Sequence, residues 1–293
     1  MTTPQNDDHR PVDPGDGTLP LRERRARDQL RARRFARPPR GLPLRAVAPN
    51  AVTALALCSG LSGVRFAISG EWERAVTMIM IAGALDGIDG RIARMLRGES
   101  RFGAELDSLS DAISFGVAPA LILYLWSLSA LPRFGWAAAL VLAVFCALRL
   151  ARFNANIDEV EQPHKSAGFM TGVPAPAGAG LALLPLILWL WTDLPILNSP
   201  YLVAPWVVFV AMLMVSSLAT FSWKSLRLRR TVRFEALAVV VLIGAALVTA
   251  PWHALSAIII AYLVALPFSI ASYARVRRLR ATVAPAPAVT PAA

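Results

Sequence analysis

The sequence predicts an all-α, polytopic membrane protein: a helical bundle of about eight transmembrane helices with both termini in the cytoplasm. Of its 293 residues, 56% are hydrophobic and only 17% are charged, and the mean hydropathy is +0.51. Soluble domains carry more charge, whereas long apolar stretches are typical of membrane spans. The third observation is the position of the charges, since most lysines and arginines lie in short segments between apolar stretches.

Segments of a different composition flank the apolar region at both ends. Residues 1–20 are polar and rich in Pro, Asp and Gly; they do not resemble a secretory signal, and we expect them to be disordered. Residues 21–45 are dense in arginine, which predicts a basic juxtamembrane segment on anionic headgroups. The transmembrane domain is expected to cover residues 46–275. Residues 276–293 are expected to form a basic and then Ala/Pro-rich disordered tail.

Apolar stretches of about 20 residues are long enough to cross a bilayer as helices. Eight candidates follow one another, and the second and third also carry aspartates, which lower their hydropathy. They run from Ala46 to Ile68, Glu73 to Leu96, Ser108 to Leu128, Trp136 to Asn154, Pro174 to Trp191, Tyr201 to Phe221, Ala236 to Ala250 and Trp252 to Tyr273. The last two are separated only around Pro251, which predicts a tight helical hairpin.

Lysine and arginine in the short loops predict the orientation of the spans. If the N-terminus lies inside, the basic loops 91–101, 149–165 and 224–233 all face the cytoplasm. This bias also accounts for the net charge of +11, so we expect no nucleic-acid binding. The chain has only two cysteines and no mitochondrial-type leader, which fits a bacterial inner (plasma) membrane.

Four aspartates lie at the cytoplasmic ends of the second and third spans. Asp86 and Asp89 are three residues apart, and Asp107 and Asp111 are four apart, so each pair shares a helix face. Two helices joined by the link around 97–103 would aim all four into one pocket. Acidic groups in membrane segments are costly and mark function. Because clustered carboxylates need cations, the pattern predicts a site for Mg²⁺ or Mn²⁺.

The pattern resembles the signature of the CDP-alcohol phosphatidyltransferases, D-x-x-D-G-x-x-A-R, eight residues, then G-x-x-x-D-x-x-x-D. Every fixed position is matched, by Asp86, Asp89, Gly90, Ala93, Arg94, Gly103, Asp107 and Asp111. The resemblance implies transfer of a phosphatidyl group from a CDP-linked lipid to an alcohol, with release of CMP. It also implies two divalent metals on the four aspartates. We expect Asp111 both to complete the second metal site and to act as the general base.

The resemblance also implies a set of residues that bind the CDP-lipid. They are Asn50, Thr53, Gly90, Arg94 and Gly103. The glycines would allow close approach of the nucleotide or serve packing between helices. Arg94 lies one helical turn beyond Gly90, within reach of a phosphate. Asn50 and Thr53 would bind the nucleotide or start the first helix.

Three further stretches resemble the phosphatidylserine-synthase branch of the family, which implies L-serine as the acceptor. They are Phe102–Ala120, Leu148–Asn154 and Gly168–Pro176. The carboxylate of serine needs a cation, and Arg149, Arg152 and Lys165 lie at the inner end of the fourth span and in the next loop. Asn154 would add a hydrogen bond. The expected partners are therefore CDP-diacylglycerol, L-serine and membrane lipid, and the relatives suggest a homodimer.

Two other functions are compatible with parts of the pattern. A sister enzyme would use another acceptor, such as glycerol 3-phosphate, inositol phosphate or choline; a phosphorylated acceptor would need a denser basic pocket. A cation transporter also carries aspartates within its membrane segments. Carboxylates spread across the membrane would favour transport, whereas clustering at one end favours the enzyme.

Overall fold

The computed structural model describes residues 44–96, 98, 100–155, 169–216, 219–221 and 233–283. Nine α-helices lie in these ranges: α1 (Leu44–Ile68), α2 (Trp72–Leu96), α3 (Arg101–Asp111), α4 (Ala118–Trp126), α5 (Phe134–Ala155), α6 (Ala175–Thr192), α7 (Pro200–Val215), α8 (Arg233–Thr249) and α9 (Pro251–Val283). Short 3₁₀ turns occupy Leu128–Ala130 and Pro195–Asn198. The predicted N-terminal segments up to residue 43, Lys165 and the last ten residues of the predicted tail lie outside the described residues.

Each of the eight predicted spans corresponds to one helical segment, because α3 and α4 join through a π-helical turn at Ala112–Val117. Five segments are long and apolar enough to cross a membrane: Val47–Ile68, Arg101–Trp126, Phe134–Ala155, Ala175–Thr192 and Pro251–Phe268. Pro200–Val215 and Ala238–Thr249 are shorter apolar helices. The remaining segment, α2, carries the first two aspartates of the motif. The prediction of a helical membrane protein is thus confirmed, with five segments of spanning length among the described residues.

The third helical segment begins earlier than predicted. It starts at Arg101 rather than Ser108, because Ser100 caps the helix and its hydroxyl accepts a hydrogen bond of 3.0 Å from the Gly103 N–H. Gly103 therefore lies in the first turn of α3 and not in a link between helices. At the other end of the chain, α9 continues to Val283, past the predicted end of its span.

A short antiparallel ladder joins two segments that flank α6 and α7. Strand β1 (Phe169–Thr171) pairs with β2 (Ala219–Phe221), so α7 ends before Phe221, where the sixth span was predicted to end. Gly172 follows β1 with φ +73°, and an added Cβ would lie 2.8 Å from the Met214 carbonyl oxygen. Glycine therefore allows the chain to pass close to the end of α7.

The apolar core lies between the helices that surround the third segment. In it, α1 packs along α2, α5 packs along α7, and α6 packs against α9. Phe115, Ile122, Leu142 and Leu186 are among the largest fully buried side chains. By contrast, α8 exposes apolar residues on several sides, as is typical of a helix in contact with lipid.

Candidate active site

Three aspartates converge where the end of α2 meets α3. One carboxylate oxygen from each of Asp86, Asp89 and Asp107 lies within 4.8 Å of the other two. Asp89 is only 4% exposed, and the other two are half-buried. Carboxylates held this close repel one another unless a cation lies between them. Their oxygen atoms are the ligands that Mg²⁺ and Mn²⁺ prefer, so this donor set fits a hard divalent metal.

Asp111, the last residue of α3, joins the same group. It lies one helical turn beyond Asp107 and therefore on the same face. Its side chain interacts electrostatically with those of Asp86 and Asp107. All four aspartates of the motif thus come together from two helices, in the arrangement that their spacing indicates.

A hydroxyl group from α1 orients Asp89. The Thr53 Oγ1 atom lies 2.8 Å from Oδ2 of Asp89 and 3.1 Å from the carbonyl oxygen of Pro49. A hydroxyl carries one proton, and the shorter contact is to the charged acceptor, so Thr53 donates mainly to Asp89. Thr53 is 5% exposed and faces the aspartate. This geometry gives Thr53 a positioning role that the sequence did not reveal.

Two buried serines attach the third helical segment to α1. The Ser110 hydroxyl donates to the carbonyl oxygen of Thr53 at 3.3 Å, and the Ser114 hydroxyl donates to that of Ala56 at 3.4 Å. Gly60 permits this close approach, because a Cβ there would lie 2.6 Å from the Ser114 oxygen. These contacts fix α3 beside α1 and so help to hold its aspartates in place.

A π-helical turn follows directly after Asp111. Such turns have wider hydrogen-bond rings than an α-helix, shift the register of the side chains and are frequent at functional sites. Here Asp111 contacts Asp86 on α2, while Ser114, within the turn, contacts α1. The turn thus lies where one helical segment presents polar groups to two different neighbours.

The two glycines of the motif have different surroundings. A Cβ on Gly103 would lie 2.7 Å from Oδ1 of Asn50 and 3.1 Å from the Ser100 hydroxyl, so Gly103 allows close packing near the start of α3. A Cβ on Gly90 would meet no atom of the described residues within 4 Å. Gly90 is exposed and adjacent to Asp89, so the space beside it is open to a ligand.

Arg94 lies one turn after Gly90 on the exposed end of α2. Its Nε donates to the Gly90 carbonyl oxygen at 2.9 Å. This bond uses Nε, whereas the terminal NH₂ groups of a guanidinium can also form hydrogen bonds with phosphate oxygens. Arg94 thus lies at the exposed end of the helix that carries Asp86 and Asp89.

Of the four residues predicted to bind serine, Arg149 lies at the aspartate cluster. It is half-buried on α5, and its guanidinium interacts electrostatically with Asp111. Its Nε atom is buried and has no hydrogen-bond partner among the described residues. A cation in this position can hold an anionic group of a substrate close to Asp111.

The other three residues have different positions. The Arg152 Nη1 donates to the Val215 carbonyl oxygen at 3.3 Å, where a cation complements the carboxyl end of α7. The Asn154 Nδ2 donates to the Ser108 hydroxyl at 2.9 Å, which links the end of α5 to α3. Lys165 lies outside the described residues. The structure thus gives Arg152 and Asn154 contacts that join helices.

Similarity to known families covers most of the chain. The family model for CDP-alcohol phosphatidyltransferase matches residues 46–220, and the model for CDP-alcohol phosphatidyltransferase 2 matches residues 232–267. The first match contains all the residues predicted for the site, including the motif from Asp86 to Asp111.

Several curated bacterial proteins named CDP-diacylglycerol–serine O-phosphatidyltransferase are similar to this chain. One from Mycobacterium bovis is 40% identical over 240 residues, which are 80% of this chain and 81% of the relative. One from Mycobacterium leprae is 39% identical over 224 residues, covering 76% and 74% of the two chains. One from Helicobacter pylori is 34% identical over 179 residues, covering 61% and 73%.

Proposed function

The chain belongs to the CDP-alcohol phosphatidyltransferase family, and we propose that it transfers the phosphatidyl group of CDP-diacylglycerol to the hydroxyl of L-serine. The products are phosphatidylserine and CMP. The observation that carries this proposal is the convergence of the four motif aspartates, with Arg149 beside Asp111. The activity named for the mycobacterial and Helicobacter relatives supports serine as the acceptor.

Two divalent metals, Mg²⁺ or Mn²⁺, are the cofactors that we propose for this site. Asp86, Asp89 and Asp107 offer closely spaced oxygen atoms, and Asp111 completes the donor set. When bound, such ions neutralise a diphosphate and stabilise the charge that develops on the leaving phosphate. The protein itself holds the carboxylates in position through the hydrogen bond from Thr53 to Asp89 and the serine contacts of the third helical segment.

We propose that Asp111 is the general base that accepts the proton of the serine hydroxyl. As Asp111 takes this proton, the hydroxyl oxygen forms a bond to the phosphorus that carries diacylglycerol. The bond between that phosphorus and the oxygen of CMP breaks, and CMP leaves with the electron pair. Arg149 lies beside Asp111, so an acceptor whose carboxylate is bound by Arg149 presents its hydroxyl near the Asp111 carboxylate.

The CDP-lipid is proposed to occupy the open space beside Gly90. A side chain at that position would meet no described atom within 4 Å, and Arg94 follows one turn later. The guanidinium of Arg94 can then bind a phosphate oxygen of the nucleotide. Asn50 and Gly103 shape the neighbouring wall, where α3 packs closely on α1.

The proposed orientation places the site on the cytoplasmic side of a bacterial inner membrane, with about eight spans and both termini inside. Basic residues cluster near the same ends of α2, α3 and α5 as the aspartates, which supports this orientation. A homodimer stays a prediction from the resemblance, and cross-linking in native membranes tests it.

An acceptor panel tests the proposed function directly. The purified protein is supplied with CDP-diacylglycerol, Mg²⁺ or Mn²⁺, and in turn L-serine, glycerol 3-phosphate, inositol phosphate or choline. CMP release and the mass of the lipid product are measured. We expect CMP and phosphatidylserine in equal amounts with serine. Turnover of glycerol 3-phosphate but not serine would assign the chain to a sister enzyme, and no CMP release with any acceptor would contradict the proposal.

A further inference from the structure

Two buried polar atoms, one on α5 and one on α9, have no hydrogen-bond partner among the described residues. They are Nε of Arg149 and the hydroxyl oxygen of Tyr262; the remaining atom of this kind in the described residues is Nε1 of Trp126. Buried polar groups in folded proteins are nearly always hydrogen-bonded, so two neighbouring exceptions require an explanation. A substrate that supplies the missing partner is such an explanation.

These two residues lie within range of an electrostatic interaction, although they are far apart in the sequence. Tyr262 is on α9 and Arg149 is on α5, and the two groups interact electrostatically. Arg149 also interacts with Asp111, the proposed general base. Tyr262 and Arg149 therefore link α9 to Asp111 through electrostatic interactions.

Buried residues of low polarity neighbour Arg149 and Tyr262 along their own helices. Leu150 follows Arg149 and is buried, Cys146 lies one turn before Arg149 and is buried, and Leu266 is buried one turn after Tyr262. A half-buried guanidinium binds an anionic partner more favourably than a fully exposed one, because less water competes with that partner. A phenol hydroxyl can donate to the same anion. The combination of Arg149 and Tyr262 thus fits a small carboxylate.

On the basis of the proposed function, we propose that Tyr262 determines acceptor specificity: its hydroxyl and the Arg149 guanidinium together bind the carboxylate of the acceptor amino acid. Arg149 also interacts electrostatically with Asp111, which receives the proton from the hydroxyl of the same molecule. An alcohol without a carboxylate, such as ethanolamine, leaves both donors unpaired and is disfavoured for that reason. Selection of the acceptor then depends on Tyr262, which lies in the separately matched region 232–267.

The substitution Tyr262→Phe tests this inference because it removes one hydroxyl and keeps the ring that packs against the core. A hydrogen bond to a charged group is lost, so we expect the KM for L-serine to rise about 10- to 100-fold. The KM for CDP-diacylglycerol and the rate with a fixed concentration of ethanolamine should stay within about twofold of wild type. An unchanged KM for the lipid also shows that the variant is folded.

A double substitution tests whether the two residues bind the same group. Because Tyr262 and Arg149 contact one carboxylate in this proposal, Tyr262→Phe with Arg149→Gln should raise the KM for serine by less than the product of the two single effects. Tyr201→Phe is the matched control, since Tyr201 is 80% exposed in the first turn of α7. This control should have wild-type kinetics for both substrates.

Specific results would overturn the inference. If the KM for serine in Tyr262→Phe stays within about twofold of wild type, Tyr262 does not bind the acceptor. A rise in the KM for CDP-diacylglycerol instead assigns the hydroxyl to the lipid phosphate, and an equal loss of the ethanolamine reaction excludes carboxylate recognition. If the wild type makes no phosphatidylserine, the proposed function itself fails. If the wild type makes phosphatidylserine and Tyr262→Phe has the same kinetics, only this inference fails.

Discussion

Replacing Thr53 by valine is expected to weaken divalent-metal binding without unfolding the protein. Valine has nearly the shape of threonine but lacks the hydroxyl that donates to Oδ2 of Asp89 at 2.8 Å. Asp89 is 4% exposed, so water cannot readily replace the lost donor. Without this donor the carboxylate is less well oriented toward a cation, as happens when the partner of a metal ligand is removed.

The size of the effect follows from the charge and burial of Asp89. A hydrogen bond to a charged group contributes about 1.5–3 kcal/mol, and each 1.4 kcal/mol is about a tenfold change in a binding constant. We therefore expect the Kd for Mn²⁺ to rise about 10- to 100-fold, the range found when residues that orient metal ligands are changed. The other contact of the hydroxyl, 3.1 Å to the Pro49 carbonyl, is local to α1 and contributes less.

Titration of the purified protein with Mn²⁺, with the free ion measured by electron paramagnetic resonance, gives this Kd. Thr53→Ser keeps the hydroxyl and should remain within about threefold of wild type. Thr77→Val is the matched control, because the exposed Thr77 hydroxyl donates to the Glu73 carbonyl at 2.7 Å near the opposite end of α2. Wild-type affinity in Thr53→Val, or an equal loss in Thr53→Ser, would refute the positioning role.

Three further predictions address the base, the glycines and the topology. Asp111→Asn should lower kcat by about 10²- to 10⁴-fold in CMP-release assays, and near-wild-type activity would assign the base elsewhere. Gly90→Ala should raise the KM for CDP-diacylglycerol at an unchanged Tm. Gly103→Ala should lower the Tm, because its Cβ would lie 2.7 Å from a side-chain oxygen. A lower Tm in Gly90→Ala together with a higher KM and unchanged Tm in Gly103→Ala would contradict both assignments. In a cysteine-free background, a cysteine at position 193 should react with a membrane-impermeant reagent from outside. A cysteine at position 94 should react only after the membrane is permeabilised. Labelling of position 94 from outside would show that the orientation is opposite to the one proposed.

The helical segments could be predicted because an apolar stretch in lipid has to satisfy its backbone hydrogen bonds within itself. Even α2, whose aspartates lower its hydropathy, was predicted as a helix of nearly the observed length. The ends were less predictable, because they depend on polar residues outside the apolar stretches. Ser100 caps α3 and starts it at Arg101, and the strand pairing of β2 replaces the end of the predicted sixth span.

The aspartate cluster could be predicted because its signal is local: each pair is spaced by one helical turn, and the short link between α2 and α3 makes the pairs neighbours. Contacts between distant helices leave no such signal. Ser114 and Tyr262 are single polar residues in apolar helices, and only the packing shows that one contacts α1 and the other lies near Arg149. Arg152 illustrates the opposite case. The sequence predicted this cation as a serine-binding residue, but in the structure it donates a hydrogen bond to the end of α7.

The dependence of phosphatidyl transfer on divalent metal tests the central claim most directly. CMP and phosphatidylserine are measured with purified wild-type protein, CDP-diacylglycerol and L-serine, first in EDTA and then after Mg²⁺ or Mn²⁺ is restored, with Asp89→Asn in parallel. Because four converging carboxylates are proposed to hold the metals, we expect no product in EDTA, full recovery with either ion, and little product from Asp89→Asn under any condition. Full product formation by the wild type in EDTA, or wild-type rates from Asp89→Asn, would contradict the proposed metal site.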